Sequence, residues 1–203
     1  MSNNKQLVSF VLDNSASVSK EKLSALMGGF RHLCGETEKY PFLEWELLTF
    51  DTFAPCVAKG FTDSEIAPVR AGRMPLLGRV VQFAAERLLA RAEELERAGE
   101  GVHRPWIVIL SDGFTFDDPS PAVAQLEEME QGGRLVYLPF KLSGKLYTER
   151  MQSLDRVKHM IEIKEGHIEQ FFSFFEGLLE RRADSEESGL KFRKNDFEGW
   201  AVL

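Results

Sequence analysis

Short apolar runs alternate with longer stretches whose apolar residues recur every three or four positions, and this alternation sets the expected elements. Leu7–Leu12 is a continuous apolar run broken only by Ser9 and reads as a buried strand. Lys20–Cys34 places Leu23, Leu26, Met27, Phe30 and Leu33 on one helical face, and Gly35 follows as a stop. Trp45–Phe50 reads as a second strand, with Ala54–Ala58 as a short edge strand beside it. Pro75 opens a strongly apolar helix through Leu76, Leu77, Val80, Val81, Phe83, Ala84, Leu88 and Leu89, and its charged end, Arg91–Glu100, reads as solvated. Pro105–Leu110 is the clearest central strand. Pro121–Gln131 follows as a short helix closed by Gly132-Gly133, and Arg134–Pro139 as the next strand. A helix over Tyr147–Ser153, a strand over Val157–Ile163 and a helix over Ile168–Arg182 complete the pattern. The last helix carries Phe171, Phe172, Phe174, Phe175, Leu178 and Leu179 as a packing face.

Strand–helix alternation at this spacing predicts an α/β fold. The expected architecture is Rossmann-like and doubly wound: a mostly parallel six-stranded sheet with one antiparallel edge strand and helices on both faces. In such sheets ligands bind beyond the carboxyl ends of the strands, where strand order reverses. One domain is expected over residues 1–182. The segment 183–203 starts charged and ends with Phe192, Phe197, Trp200, Val202 and Leu203. It fits a disordered segment, an element folded back on the domain, or a docking peptide equally well.

Composition narrows the classes. A net charge of −7 argues against a phosphate-backbone surface and suits a site that gathers a cation. No apolar run reaches the roughly 18–20 residues that cross a bilayer. The polar start Met1–Gln6, followed by a short run ending at Asp13, lacks the form of a cleavable signal, so a cytoplasmic location is expected. Cys34 and Cys56 have neither metal-clip nor redox spacing and read as two buried thiols.

One cluster carries chemistry. The first strand ends in Asp13-Asn14-Ser15-Ala16-Ser17, a carboxylate with hydroxyls two and four residues on. In a turning loop these oxygens face one crevice and form half a site for a hard cation. The central strand ends in Ser111-Asp112-Gly113, so the predicted sheet brings Asp13 and Asp112 out side by side. Two carboxylates in one crevice repel unless a cation or a proton joins them. The alternative is that both serve loop hydrogen bonds while Ser15 and Ser17 cap the first helix. Asp51 reads as the cap of its turn, with a place near the second loop as the alternative; Asp117 and Asp118 are able to extend an acidic rim, and Asp118 before Pro119 also reads as a turn and helix start.

Asp13-x-Ser15-x-Ser17 resembles the first part of the metal-ion-dependent adhesion site of von Willebrand factor A (VWA) domains, and Ser111-Asp112-Gly113 resembles that family's third metal loop. Leu47–Asp51 and Gly72–Gly78 are similar to its second strand and second metal loop. Pro105–Asp118 and the phenylalanine-rich last helix are similar to a bacterial subgroup that includes the tellurite-resistance TerY-like proteins. The resemblance covers roughly residues 5–182. It implies Mg²⁺, or Mn²⁺ or Ca²⁺, held by Asp13, Ser15, Ser17 and Asp112, with a protein partner supplying an acidic residue. Nucleic acid and membrane are not implied as partners. It also implies an intracellular scaffold in stress response, tellurite resistance or phage defence rather than an enzyme. The family's second-loop threonine is replaced by Met74, a poor ligand for Mg²⁺. Met74, Phe114 and Phe116 are therefore assigned to partner contact. A metal-free interaction domain is the alternative reading. A Mg²⁺-dependent phosphatase or phosphotransferase is the more remote one, because Ser15 stands where that chemistry needs a second acid.

Overall fold

A computed structural model describes residues 4–36, 38–50, 54–70, 75–142, 160–184 and 194–202. β1 (Gln6–Leu12) is buried along its whole length, and its alternating side chains feed two separate cores. Val8, Phe10 and Leu12 enter one, and Leu7 and Val11 the other. A strand buried on both sides is the mark of a sheet covered by helices on both faces.

β1 pairs in parallel with β2 (Leu43–Phe50) on one side and β4 (Trp106–Ser111) on the other. β3 (Pro55–Lys59) runs antiparallel to β2 at one edge. Beyond β4 lie β5 (Val136–Leu142), β6 (Ile161–Ile163) and β7 (Ala201–Val202), giving the order β3-β2-β1-β4-β5-β6-β7. The fold class expected from sequence holds, with one change. Among the described residues the sheet has seven strands, because the C-terminal segment returns and pairs antiparallel with β6. Both edges are therefore antiparallel.

The helices α1 (Lys20–Gly35) and α4 (Ile168–Asp184) cover one face. Their shared core is aromatic: Phe10 stands 5.0 Å from both Phe30 and Phe175 and 5.7 Å from Trp45, ring centroid to centroid. Gly29 lets the two helices approach, since a Cβ there would fall 2.1 Å from the Phe172 ring. The helices α2 (Leu77–Arg97) and α3 (Ser120–Gln131) cover the other face. α2 stays anchored further than its charged end suggested, because Ala92 and Leu95 keep the helical period and are buried.

β5 runs on through Pro139 to Leu142. The proline removes one ladder donor, yet Phe140 and Lys141 still pair with β4, and Phe140 to Leu142 pair with β6. Phe197 and Trp200 of the returning segment pack on Phe174 at 5.1 and 5.4 Å, and the Trp200 indole donates to the Asp196 carbonyl at 2.8 Å. Of the three options for this segment, the folded-back element is the one observed over residues 194–202. The expected helix over 147–153 and the start of the strand at 157 lie outside the described residues, as does Asp51. Neither cysteine is a buried thiol: Cys34 is half-buried and Cys56, on the edge strand β3, is exposed. No helix among the described residues is long and apolar enough to cross a membrane.

Candidate functional site

Strand order reverses between β1 and β4, and Asp13 and Asp112 leave the sheet at that point. The Asp13 amide continues the ladder by donating to the Leu110 carbonyl at 2.8 Å, which fixes the first loop against the end of β4. The Asp13 side chain is fully buried. Its Oδ1 accepts from the Ser15 amide at 2.9 Å, and its Oδ2 accepts from the Ser111 hydroxyl at 2.8 Å. Asp112 is 8% exposed, and its Oδ1 accepts from the Phe114 amide at 2.9 Å. Gly113 makes the exit at φ 86°, in the left-handed region, and donates its amide to Ser111 Oγ at 3.0 Å. Asn14 ties the first loop to the 60–70 segment through Nδ2 and the Arg70 carbonyl at 2.6 Å.

Burial, and then the charge of Asp112, push the Asp13 carboxyl up from 3.8 to about 6, against the hydrogen bonds of Ser15 and Ser111. The charged form of Asp13 is thus held by a donor from the first loop and one from the end of β4, and opposed by its surroundings.

Ser15 and Ser17 stand with their hydroxyl oxygens 2.7 Å apart. Neither caps α1. Ser19 does so, accepting from the Lys22 amide at 3.3 Å. The capping alternative for Ser15 and Ser17 is therefore corrected: the chain carries a third serine for that duty. Neighbouring oxygens of an octahedral cation with bonds of about 2.1 Å stand roughly 3 Å apart. The hydroxyl pair is closer than that because the two hydroxyls are hydrogen-bonded to each other, and with two carboxylates the donor set is all oxygen, the type Mg²⁺ takes. The residues fit a hard cation that keeps several waters. Among the described residues no group of three or more His, Cys, Asp and Glu side chains is placed to hold a metal, so the cluster's acidic contribution stops at two.

The third loop presents two faces. Phe116 is 45% exposed, Phe114 is half-buried, and their rings meet edge to face at 5.0 Å. Thr115 and Asp117 alternate with them and point the other way, into the start of α2. The Leu77 amide donates to Thr115 Oγ1 at 3.1 Å, and the Arg79 amide to Asp117 Oδ2 at 3.1 Å. The Thr115 hydroxyl has Asp117 Oδ1 and the Pro75 carbonyl as alternative acceptors for its one hydrogen, and the Phe116 amide donates to the Pro75 carbonyl at 2.9 Å. Asp117 is thus bound to the start of α2. Asp118 takes the helix-start role, accepting from the Ser120 amide at 3.0 Å.

The sequence does not single out Thr115, and it singles out Asp117 only as a candidate for an acidic rim, not as a partner of α2. The signal available was a helix start, Pro75-Leu76-Leu77, without a capping side chain of its own. Met74 lies outside the described residues.

The mostly parallel sheet, reversing at β1/β4 and covered by helices on both faces, is a VWA-like fold. Among solved structures, the chain is similar to the VWA domain of SpRpn10, with a TM-score of 0.56, 15% identity, and coverage of 93% of this chain and 100% of that one. No family model and no curated protein match the sequence.

Proposed function

We propose that this chain is a protein-interaction module, not an enzyme, whose binding face is the crevice at the β1/β4 reversal. In this reading Asp13, Ser15, Ser17 and Asp112 hold a divalent cation, Mg²⁺ before Mn²⁺ or Ca²⁺. The observation that carries it is the buried Asp13 carboxyl, raised by its burial and by Asp112 and set beside two hydroxyls not needed for helix capping. A cation relieves that repulsion, whereas a buried carboxylate pair without one is costly. When bound, it offers an open position to a carboxylate of the partner. The chain's own part is to fix the oxygens: Ser111 and the Ser15 amide orient Asp13, and the Phe114 amide orients Asp112. Phe114 and Phe116 supply an apolar rim beside it, and Met74 is assigned to the same contact in place of a threonine ligand.

Titration calorimetry of the EDTA-stripped protein with Mg²⁺ and Mn²⁺, beside Asp13→Ala, tests this. Saturable binding that the substitution abolishes is expected, and Met74→Thr should strengthen it. Absence of heat in the wild type would overturn the metal reading.

A second reading rests on the same hydrogen bonds. Both oxygens of Asp13 already accept protein donors, so the loops could hold their shape without metal. Partner binding would then ignore EDTA. A cytoplasmic scaffolding role in bacterial stress response, tellurite resistance or phage defence belongs to this proposal through the sequence resemblance alone. Phosphatase chemistry is the remotest reading, and turnover of a generic phosphate ester with Mg²⁺, lost in Asp13→Asn, would be needed to support it.

A further inference from the structure

Four hydrogen bonds join the third loop to the start of α2. They run from the Leu77 amide to Thr115, from the Arg79 amide to Asp117, from the Phe116 amide to the Pro75 carbonyl, and from the single Thr115 hydroxyl hydrogen, which lies within reach of both Asp117 Oδ1 and the Pro75 carbonyl. Asp117 is the hinge pin of this set. One of its oxygens holds the Thr115 hydroxyl and the other caps the first turn of α2, whose own N-cap, Leu76, makes no side-chain bond. The negative charge also meets the positive end of a helix of 21 residues. The fit is close: a Cβ on Gly78 would lie 3.0 Å from Asp117 Oδ2, 3.1 Å from Pro119 Cα and 3.2 Å from the Asp118 carbonyl. Gly78 is therefore the notch that lets the third loop seat on the helix.

The same loop carries Asp112 at its start and Phe116 on its outer face. A loop clamped at Thr115 and Asp117 has little freedom left between Asp112 and Pro119, because Phe114 is bonded back to Asp112. We infer that Asp117 is a positioning residue that locks the third loop to the α2 entry, so that the direction of Asp112 and the presentation of Phe116 are set together by where α2 begins. This rests on the proposed cation site only for its effect on affinity; the mechanical link stands by itself.

Amide hydrogen exchange without metal, and Mg²⁺ titration, on wild type, Asp117→Ala, Asp117→Asn and Gly78→Ala test it. In Asp117→Ala, protection should fall by about tenfold or more at Leu77 and Arg79 and also at Phe116, whose amide does not touch Asp117. Asp117→Asn should keep most of it, because the amide oxygen still accepts from Arg79 while the Thr115 hydroxyl turns to Pro75. Gly78→Ala raises helix propensity yet should loosen Phe116, and it carries the test if Asp117→Ala fails to fold. Loss confined to Arg79 would reduce Asp117 to a helix cap and overturn the inference. With Mg²⁺, Asp117→Ala should weaken binding about fivefold or more and Asp117→Asn much less. An unchanged affinity in Asp117→Ala, beside a wild type that binds, would also overturn it. A wild type that binds no Mg²⁺ would sink the cation site instead, and exchange at Phe116 would then decide the inference alone.

Discussion

The Ser111 hydroxyl donates to Asp13 Oδ2 at 2.8 Å, across 98 positions of sequence and between two strands that lie side by side. Ser111 also accepts the Gly113 amide, so a single buried hydroxyl orients the first-loop carboxylate and braces the turn that follows Asp112. Ser111→Ala removes both. It should destabilise the domain by about 1.5–3 kcal/mol, the scale of a lost buried bond to a charged group. Denaturant unfolding checks this, and Ser111→Cys, of similar shape but a weak donor, should fall between the two.

Stability of the metal-free protein should depend on pH through Asp13. Folded, this carboxyl titrates at about 6; unfolded, it titrates near 3.8. Between those values the folded state holds a proton that the unfolded chain has lost. The contribution is therefore full below about pH 4 and disappears as pH rises through 6, by on the order of 1–3 kcal/mol. Urea unfolding at pH 4.5 and 7, on wild type and Asp13→Asn in EDTA, isolates it. The advantage of Asn over Asp should be larger at pH 7. Equal differences at the two pH values would mean that the carboxyl is not raised.

Gly29 sets the distance between α1 and α4. A Cβ there would sit 2.1–2.5 Å from three atoms of the Phe172 ring. Gly29→Ala should cost about 1–3 kcal/mol despite better helix propensity, because the ring has to move within a packed core. Combining it with Phe172→Leu should recover part of the loss, which a double-mutant cycle measures.

Trp200 holds the returning C-terminal segment. It is 7% exposed, packs on Phe174 and Phe197, and its carbonyl accepts from the Lys164 amide at 3.0 Å. Trp200→Ala should cost about 2–4 kcal/mol and release β7 from β6. Thermal unfolding gives the first number, and exchange at the Lys164 amide reports the second.

Much of this protein is legible one residue at a time. Leu7–Leu12 and Pro105–Leu110 are recognisable as strands because doubly buried parallel strands are apolar on both sides, and the helical faces of α1 and α4 follow from a 3.6-residue repeat. Asp13, Ser15 and Ser17 are within five positions, and Asp112 follows the central strand, so the acidic and hydroxyl oxygens of the candidate crevice are legible in the sequence. Those are local signals, carried by periodicity and by residue type at strand ends.

Other features depend on pairs far apart in the chain. That Ser19, not Ser15 or Ser17, caps α1 turns on backbone geometry at the helix entry, which several nearby serines satisfy equally on paper. That Asp117 belongs to α2 depends on a contact across 38 positions, and its only trace in the sequence is a helix start without a cap. The seventh strand is two residues long, too short for any periodicity, and exists because Phe197 and Trp200 find Phe174 and bring Ala201 beside Ile163. Sequence thus determined the elements and the chemical identity of the crevice, since both are written in local pattern. Tertiary structure decided which donor serves which acceptor and how the sheet is closed, because those outcomes depend on which distant side chains are brought within hydrogen-bonding and packing range.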